Sequence, residues 1–171
     1  IPVATAKKAL ERLSDIPGRM EQVIEKPFSV VVDYAFTPAA LEKVYKALKP
    51  LQGKLICVVS GTGGGRDRWK RPVLGKIAAT HCDSVFVTDE DPYEEDPWRI
   101  IEQVAAGTNG KGEKILDRRE AIRKAITKAT AGDVVIITGK GSEDTMAIAG
   151  GKKIAWDDRE IVREEFAQLH A

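Results

Sequence analysis

The chain has 171 residues, with 27 basic and 26 acidic side chains and a formal charge of +1, a size that suits one domain with at most a short appendage. So even a balance argues against nucleic-acid binding, which calls for clustered positive charge. Cys57 and Cys82 stand in apolar segments without metal-ligand spacing and read as buried free thiols; no apolar run nears the roughly 18 residues of a membrane span, and no secretory core opens the chain, so a cytoplasmic protein is expected.

Beginning at Ile1 without an initiator methionine, and so expected to be a piece of something longer, the chain opens with a short helix over residues 4–13. Ser14-Asp15-Ile16-Pro17-Gly18 breaks it. Phe28 to Val32 is an apolar, β-branched run ending at Asp33, and Thr37-Pro38 supplies the N-cap and first-turn proline of a helix with Ala40, Leu41, Val44, Tyr45 and Leu48 on its apolar face. Leu55 to Val59 is the next buried strand, followed by a glycine turn and a helix near Pro72 to Cys82. Val85 to Val87 is a third strand, and Asp96-Pro97 opens the helix of Ile100, Ile101, Val104 and Ala105.

The second half repeats the rhythm. Ile115-Leu116 is a short strand, Asp117 and Glu120 cap the helix of Ile122, Ala125, Ile126 and Ala129, and Val134 to Ile137 is a strand. Two short strands surround Gly150-Gly151, and Asp157 with Glu160 caps a last helix burying Ile161, Val162, Phe166 and Leu169. Unalternating Val/Ile strands separated by helices predict an α/β fold, a doubly wound, mostly parallel sheet with helices on both faces.

Ligands of such a sheet bind beyond the carboxyl ends of its strands, where four loops are predicted: residues 33–38, 61–71, 89–96 and 139–144. The loop GTGGGRDRWKR reads either as an anion-binding turn, with Arg66 and Arg68 clamping a carboxylate or phosphate, or as a plain tight turn with solvated cations. It meets the dinucleotide fingerprint only loosely, at Gly61, Gly63 and Arg66, and no suitable acid follows, which leaves a redox Rossmann domain a minor alternative. Residues 107–112, GTNGKG, imitate a phosphate loop but follow a helix and offer Gly112 where a hydroxyl is required, so they read as a helix C-cap and surface turn. The acidic run from Asp89 to Asp96 directly follows a strand. Its first acids are expected to face the crevice, to meet either an ammonium group or a divalent metal, with Glu94 and Glu95 in water. Glu143 is a further acid poised for an amine. His81 and His170 read as structural or incidental, and no nucleophile–base arrangement is evident.

In order, these segments are IPGRME (16–21), VDYAFTP (32–38), GTGGGRDRWKRP (61–72), TDEDPY (88–93), DP (96–97), DR (117–118), GKGSED (139–144) and DDREIVR (157–163). The combination resembles the C-terminal domain of the Mur ligases, in the branch that adds the third residue of the peptidoglycan stem peptide. The likeness spans residues 16 to 169; residues 1–15 resemble the linker or tail of a preceding ATPase domain, and 16–171 the C-terminal domain itself. It implies a Rossmann-like domain that closes over ATP and delivers the incoming amino acid. The phosphate loop, Mg2+ ligands and carbamylated lysine belong to a central domain absent from this chain. Arg19 would then contact ATP phosphates and Asp33 the ribose hydroxyls, unless Asp33 merely ties down the turn that follows it. Arg66, Glu90, Asp91, Tyr93, Gly139 and Glu143 would hold the amino acid, with Glu143 near its distal amine.

The resemblance implies no catalytic residue and no metal site in this chain, no tightly bound cofactor, and no turnover by the chain alone. Its implied partners are UDP-linked muramoyl dipeptide, an amino acid and the missing domains. A monomer without nucleic-acid or membrane partners is expected. An alternative is a non-enzymatic amino-acid or nucleotide-binding module. The sequence departs from the family at Phe36 and Ser142, where histidine is usual, and at Gly65, where an acid is usual. Tyr93 replaces the arginine with which diaminopimelate-adding members fork a distal carboxylate, so a plain diamino acid of the lysine type is the expected substrate.

Overall fold

In a computed structural model that describes residues 1–12 and 16–169, the apolar runs are strands and the segments between them helices. Strands β1 (Glu21–Ile24), β2 (Ser29–Asp33), β3 (Leu55–Ser60), β4 (Ser84–Thr88), β5 (Gly112–Lys114) and β6 (Val134–Thr138) make one sheet, ordered β1-β2-β6-β3-β4-β5. β1 runs antiparallel to β2, and every other pair is parallel. A separate antiparallel hairpin joins β7 (Thr145–Ile148) to β8 (Lys152–Ala155). The helices are α1 (Val3–Leu10), α2 (Pro38–Leu48), α3 (Lys70–His81), α4 (Pro97–Ala106), α5 (Arg118–Lys128) and α6 (Asp158–Leu169). None of these is long and apolar enough to cross a membrane.

Side-chain alternation along the strands divides the interior into two cores, as a sheet covered on both faces requires. Val30, Val32, Ile56, Val58, Val135 and Ile137 point to one face, under Ala121, Ile122, Ala125 and Ile126 of α5 and Ile161 and Val162 of α6. Val31, Leu55, Cys57, Val59 and Ile136 point to the other, under Leu41 and Tyr45 of α2, Leu74 and Ala78 of α3, and Ile101 and Val104 of α4. Burying each such side chain contributes about 1.5–3 kcal/mol. This is the doubly wound sheet expected, and both cysteines are buried free thiols within the second core. Thr37, Asp96 and Asp117 cap α2, α4 and α5 through their side chains.

The structure corrects several boundaries. The strand expected at Ile115-Leu116 is instead β5, which ends at Lys114 just before it, and Leu116 is exposed. β1 was not expected at all; its four residues, EQVI, form a half-buried edge. Helix α3 starts two residues before Pro72, and Leu169 of α6 lies 43% exposed rather than buried. Helix α1 ends at Leu10, short of residue 13. Residue 13, the Ser14-Asp15 part of the break, the boundary drawn after residue 15, and His170 fall outside the described residues.

At the carboxyl end of the sheet a buried ion pair joins the layers. Arg118, first residue of α5, donates from Nε to Asp158 Oδ1 (2.9 Å) and from Nη2 to Asp158 Oδ2 (2.7 Å). The same guanidinium reaches the Thr138 carbonyl (3.0 Å) and Ser60 Oγ (3.3 Å), which end β6 and β3, and the carbonyl of Asp89 (3.1 Å), the residue after β4. Trp156 Nε1 donates to Asp158 Oδ1 at 2.9 Å. Burial works against Arg118's charge, yet Asp158 outweighs it and raises the guanidinium above its ordinary value. Removing either partner leaves an uncompensated buried charge. Arg118→Ala or Asp158→Ala should therefore cost about 3–5 kcal/mol, and the paired Arg118→Met/Asp158→Leu variant less than the sum of the two. Urea denaturation checks this; single losses below about 1 kcal/mol would show that the pair does not hold the layers together.

Candidate functional site

Asp33, Thr138, Ser60 and Thr88 end their strands side by side, since the registers pair Asp33 with Thr138 and Ser60 with Thr88. The four loops predicted to converge leave from these residues, and they do meet. The Gly63 amide donates to the Asp91 carbonyl at 2.8 Å, and the Tyr34 hydroxyl to Glu143 Oε1 at 3.0 Å. Lys140 Nζ lies 2.9 Å from both Asp91 oxygens and 2.6 Å from Glu143 Oε2. Between the loops is a small cavity of about 40 Å³ lined by Arg66, Glu90, Asp91, Tyr93, Gly139 and Glu143, with Tyr34, Phe36 and Thr62. All the residues expected to hold an amino acid line this one cavity.

Their electrostatic states differ. Glu90 is buried and saturated: Ser60 Oγ donates to Oε2 (2.5 Å) and Thr62 Oγ1 to Oε1 (2.8 Å). Gly139, at φ +115°, lies so close that a Cβ there would come within 2.4 Å of Glu90 Oε2, so only glycine lets the acid sit at the sheet end. Asp91 also accepts the Ala147 amide (2.7 Å), which ties the β7–β8 hairpin to the site, and its charge is matched by Lys140. Of the three acids expected to face an amine, Glu143 is the exposed one; its side chain is 38% accessible. Lys140, which the sequence marks only as part of a glycine turn, proves to be buried at this candidate site between Asp91 and Glu143. Burial opposes its charge, but Glu143 and Asp91 prevail and hold the ammonium above the ordinary lysine range.

The glycine loop separates its cations. Arg66 makes no side-chain hydrogen bond or ion pair among the described residues and stands at the cavity as a free guanidinium. Arg68, expected to clamp an anion beside it, is paired with Glu95 at 3.1 Å. Arg71 is wholly buried and donates to Glu95, to Gln103 (2.6 Å) and to the Thr62 carbonyl (2.8 Å). Glu95 therefore anchors the loop instead of facing water. Glu94 is exposed, as expected, and accepts the Gly150 amide. Tyr93 holds φ at +51° and lays its ring against Gly64.

A second cavity, about 250 Å³, adjoins the first and is lined by Arg19, Asp33, Tyr34, Ala35, Phe36, Thr37 and Ala40. Gly18 packs on the 139–144 loop, where a Cβ would come within 2.0 Å of the Ser142 amide, and this contact sets Arg19 over the Tyr34 ring at 4.2 Å. Asp33 Oδ1 accepts the Ala35 amide and Oδ2 the Met20 amide, each at 2.8 Å, the turn-tying contact that was the alternative to a ribose role. No cluster of three or more metal-ligating side chains occurs among the described residues. A larger cavity of about 350 Å³, between the hairpin and α6, contains none of the expected residues.

A family model described as "Mur ligase, glutamate ligase domain" matches residues 18–141. The chain belongs to the Mur ligase family. It is 42% identical over 177 residues to a UDP-N-acetylmuramyl-tripeptide synthetase of Roseiflexus sp., covering 99% of this chain and 35% of that protein. It is 48% identical over 169 residues to a UDP-N-acetylmuramoyl-L-alanyl-D-glutamate--2,6-diaminopimelate ligase of Synechocystis sp., covering 95% and 33%. A solved structure of a ligase of that latter name superposes with a TM-score of 0.83 at 34% identity, over 100% of this chain and 36% of that one. This Mur ligase domain spans about a third of the length of the curated relatives it matches.

Asp89 of the Mur ligase domain is only partly compensated. Asp89 Oδ1 is buried without a partner among the described residues, and desolvation pushes the carboxyl up to about 6 although a backbone hydrogen bond from Glu90 and the charge of Arg118 pull the other way. A carboxyl raised in the folded state binds its proton more tightly there than when unfolded. Its penalty is absent below the unfolded value near 4 and complete above about 6. Asp89→Asn should then stabilise the domain by up to about 3 kcal/mol at pH 8 and leave it unchanged at pH 4. Melting curves at the two pH values check this; equal effects at both would contradict it.

Proposed function

We propose that this domain, within a longer protein, positions ATP and an incoming diamino acid for ligation to UDP-N-acetylmuramoyl-L-alanyl-D-glutamate in peptidoglycan synthesis. The observation that carries the reading is the single cavity in which a free guanidinium, Arg66, faces the accessible carboxylate of Glu143. A zwitterionic amino acid presents the complementary charges. ATP phosphorylates the dipeptide's terminal carboxylate, releasing ADP; the bound amine then attacks that carbonyl, and phosphate departs as the amide forms. The domain contributes positioning and charge stabilisation to these steps. Arg19 and Asp33 would hold the nucleotide. Arg19 suits a phosphate, since among the described residues its guanidinium is engaged only by the Gly18 carbonyl at 3.4 Å and the Tyr34 ring.

The amino acid is of the lysine type in this reading. Tyr93 lines the cavity where a distal carboxylate would need a fork, and a phenol offers a single donor. A second reading, diaminopimelate, is supported by the name of the Synechocystis relative and by Arg66, which could take a distal carboxylate instead of the α-carboxylate. Competition assays with the full-length protein separate them. Lysine or ornithine should show the higher kcat/KM, and Tyr93→Arg should move preference toward diaminopimelate by about tenfold or more. A wild-type preference for diaminopimelate would favour the second reading. The same assays test Asp33: Asp33→Ala should raise the ATP KM more than the amino-acid KM, whereas equal losses with a lower melting temperature would restrict it to the turn.

A further inference from the structure

The two cavities share a wall. Tyr34 and Phe36 line both, with ring centroids 5.1 Å apart at 70°. Tyr34 touches a charged group on each side: Arg19 lies over its ring face, and its hydroxyl donates to Glu143 Oε1. Glu143 has two holders, Tyr34 on one oxygen and Lys140 on the other. Lys140 is fixed by Asp91 as well, so Tyr34 is the holder that also faces the cavity containing Arg19 and Asp33. Phe36 carries no hydroxyl or imidazole, and the Lys70 ammonium sits 5.2 Å from its ring, so on this wall the hydroxyl of Tyr34 is the polar link between the cavities.

We propose that Tyr34 is a positioning residue that couples the two cavities, setting the Glu143 carboxylate for the amino acid's amine in response to what occupies Arg19. A cation over an aromatic face draws electron density from the ring and sharpens the phenol as a donor. A phosphate on Arg19 offsets that cation, weakens the Tyr34–Glu143 bond and frees the carboxylate for an ammonium. Nucleotide binding thereby prepares the amino-acid cavity through a single side chain. Burial and the bond to Glu143 both raise the Tyr34 phenol above its ordinary range, so it remains a neutral donor throughout the physiological range.

This inference rests on the ligase reading above, and the test separates the two. In the full-length protein, Tyr34→Phe keeps the ring beneath Arg19 and removes only the hydroxyl. With that bond gone the carboxylate is already free, so the amino-acid KM should fall by up to about tenfold with the ATP KM unchanged. Arg19→Gln should raise the ATP KM and also shift the amino-acid KM severalfold, and that second shift should vanish in the Tyr34→Phe background, where the link is already cut. An amino-acid KM within twofold of wild type in Tyr34→Phe, or an undiminished Arg19→Gln shift in that background, would overturn the coupling while leaving the ligase reading intact. Absence of ATP-dependent ligation by the wild-type protein with any diamino acid would overturn both.

Discussion

Taking a guanidinium and a carboxylate out of water is costly, and the cost is recovered only when every donor and lone pair finds a partner. Arg118 and Asp158 meet that condition at the carboxyl end of the sheet, where one side chain satisfies the last carbonyl of β6, the carbonyl of Asp89 just beyond β4, and the hydroxyl ending β3. Those strand ends launch three of the loops that build the candidate site. Asp158 in turn starts α6 and receives the Trp156 indole, so the helix on one face and the loops at the end of the sheet share a fastening. The positions of Glu90, Asp91 and Lys140 follow from it, because each sits within a few residues of a carbonyl or hydroxyl that Arg118 holds.

Around that fastening the site is built from charges that are largely spent on one another. Asp91 goes to Lys140, Glu95 to Arg68 and Arg71, and Glu90 to two hydroxyls. Such spending gives rigidity, since a buried network with every member satisfied has few alternative arrangements. The groups left over are then conspicuous. Arg66, with no side-chain partner among the described residues, and Glu143, held by Tyr34 and Lys140 yet still accessible, both open on the same cavity.

The layers were legible in the sequence because continuous Val/Ile runs have no other stable use in a chain of this composition, and helix caps such as Thr37, Asp96 and Asp117 announce themselves locally. The convergence of the four loops followed from the topology of parallel sheets. β1 and β5 escaped because edge strands bury half or less of their side chains; GEK at residues 112–114 carries no apolar signal whatever. The buried charges escaped for a different reason. A lone Arg118 or Lys140 reads as solvated, and its partner is 40 residues away in one case and 49 in the other, beyond any local pattern. Glu95 was assigned to water by the same habit of reading charge runs as surface. Asp33 shows a third limit, because its carboxylate has the chemistry for both roles considered and sequence cannot rank a backbone amide against a ribose.

The reversed direction of β1 has a consequence for how the domain is joined to anything upstream. With Glu21 beside Val32, the chain enters the sheet at its carboxyl end, and residues 16–20 reach the rim of the candidate site before the first strand begins. Had β1 run parallel, the Pro17-Gly18-Arg19 segment would lie at the far end of the sheet, a strand length or roughly 13 Å away. As built, Arg19 is both a wall of the cavity that Asp33 lines and part of the segment leading into β1. The segment leading into β1 therefore reaches the mouth of the crevice without first crossing the sheet.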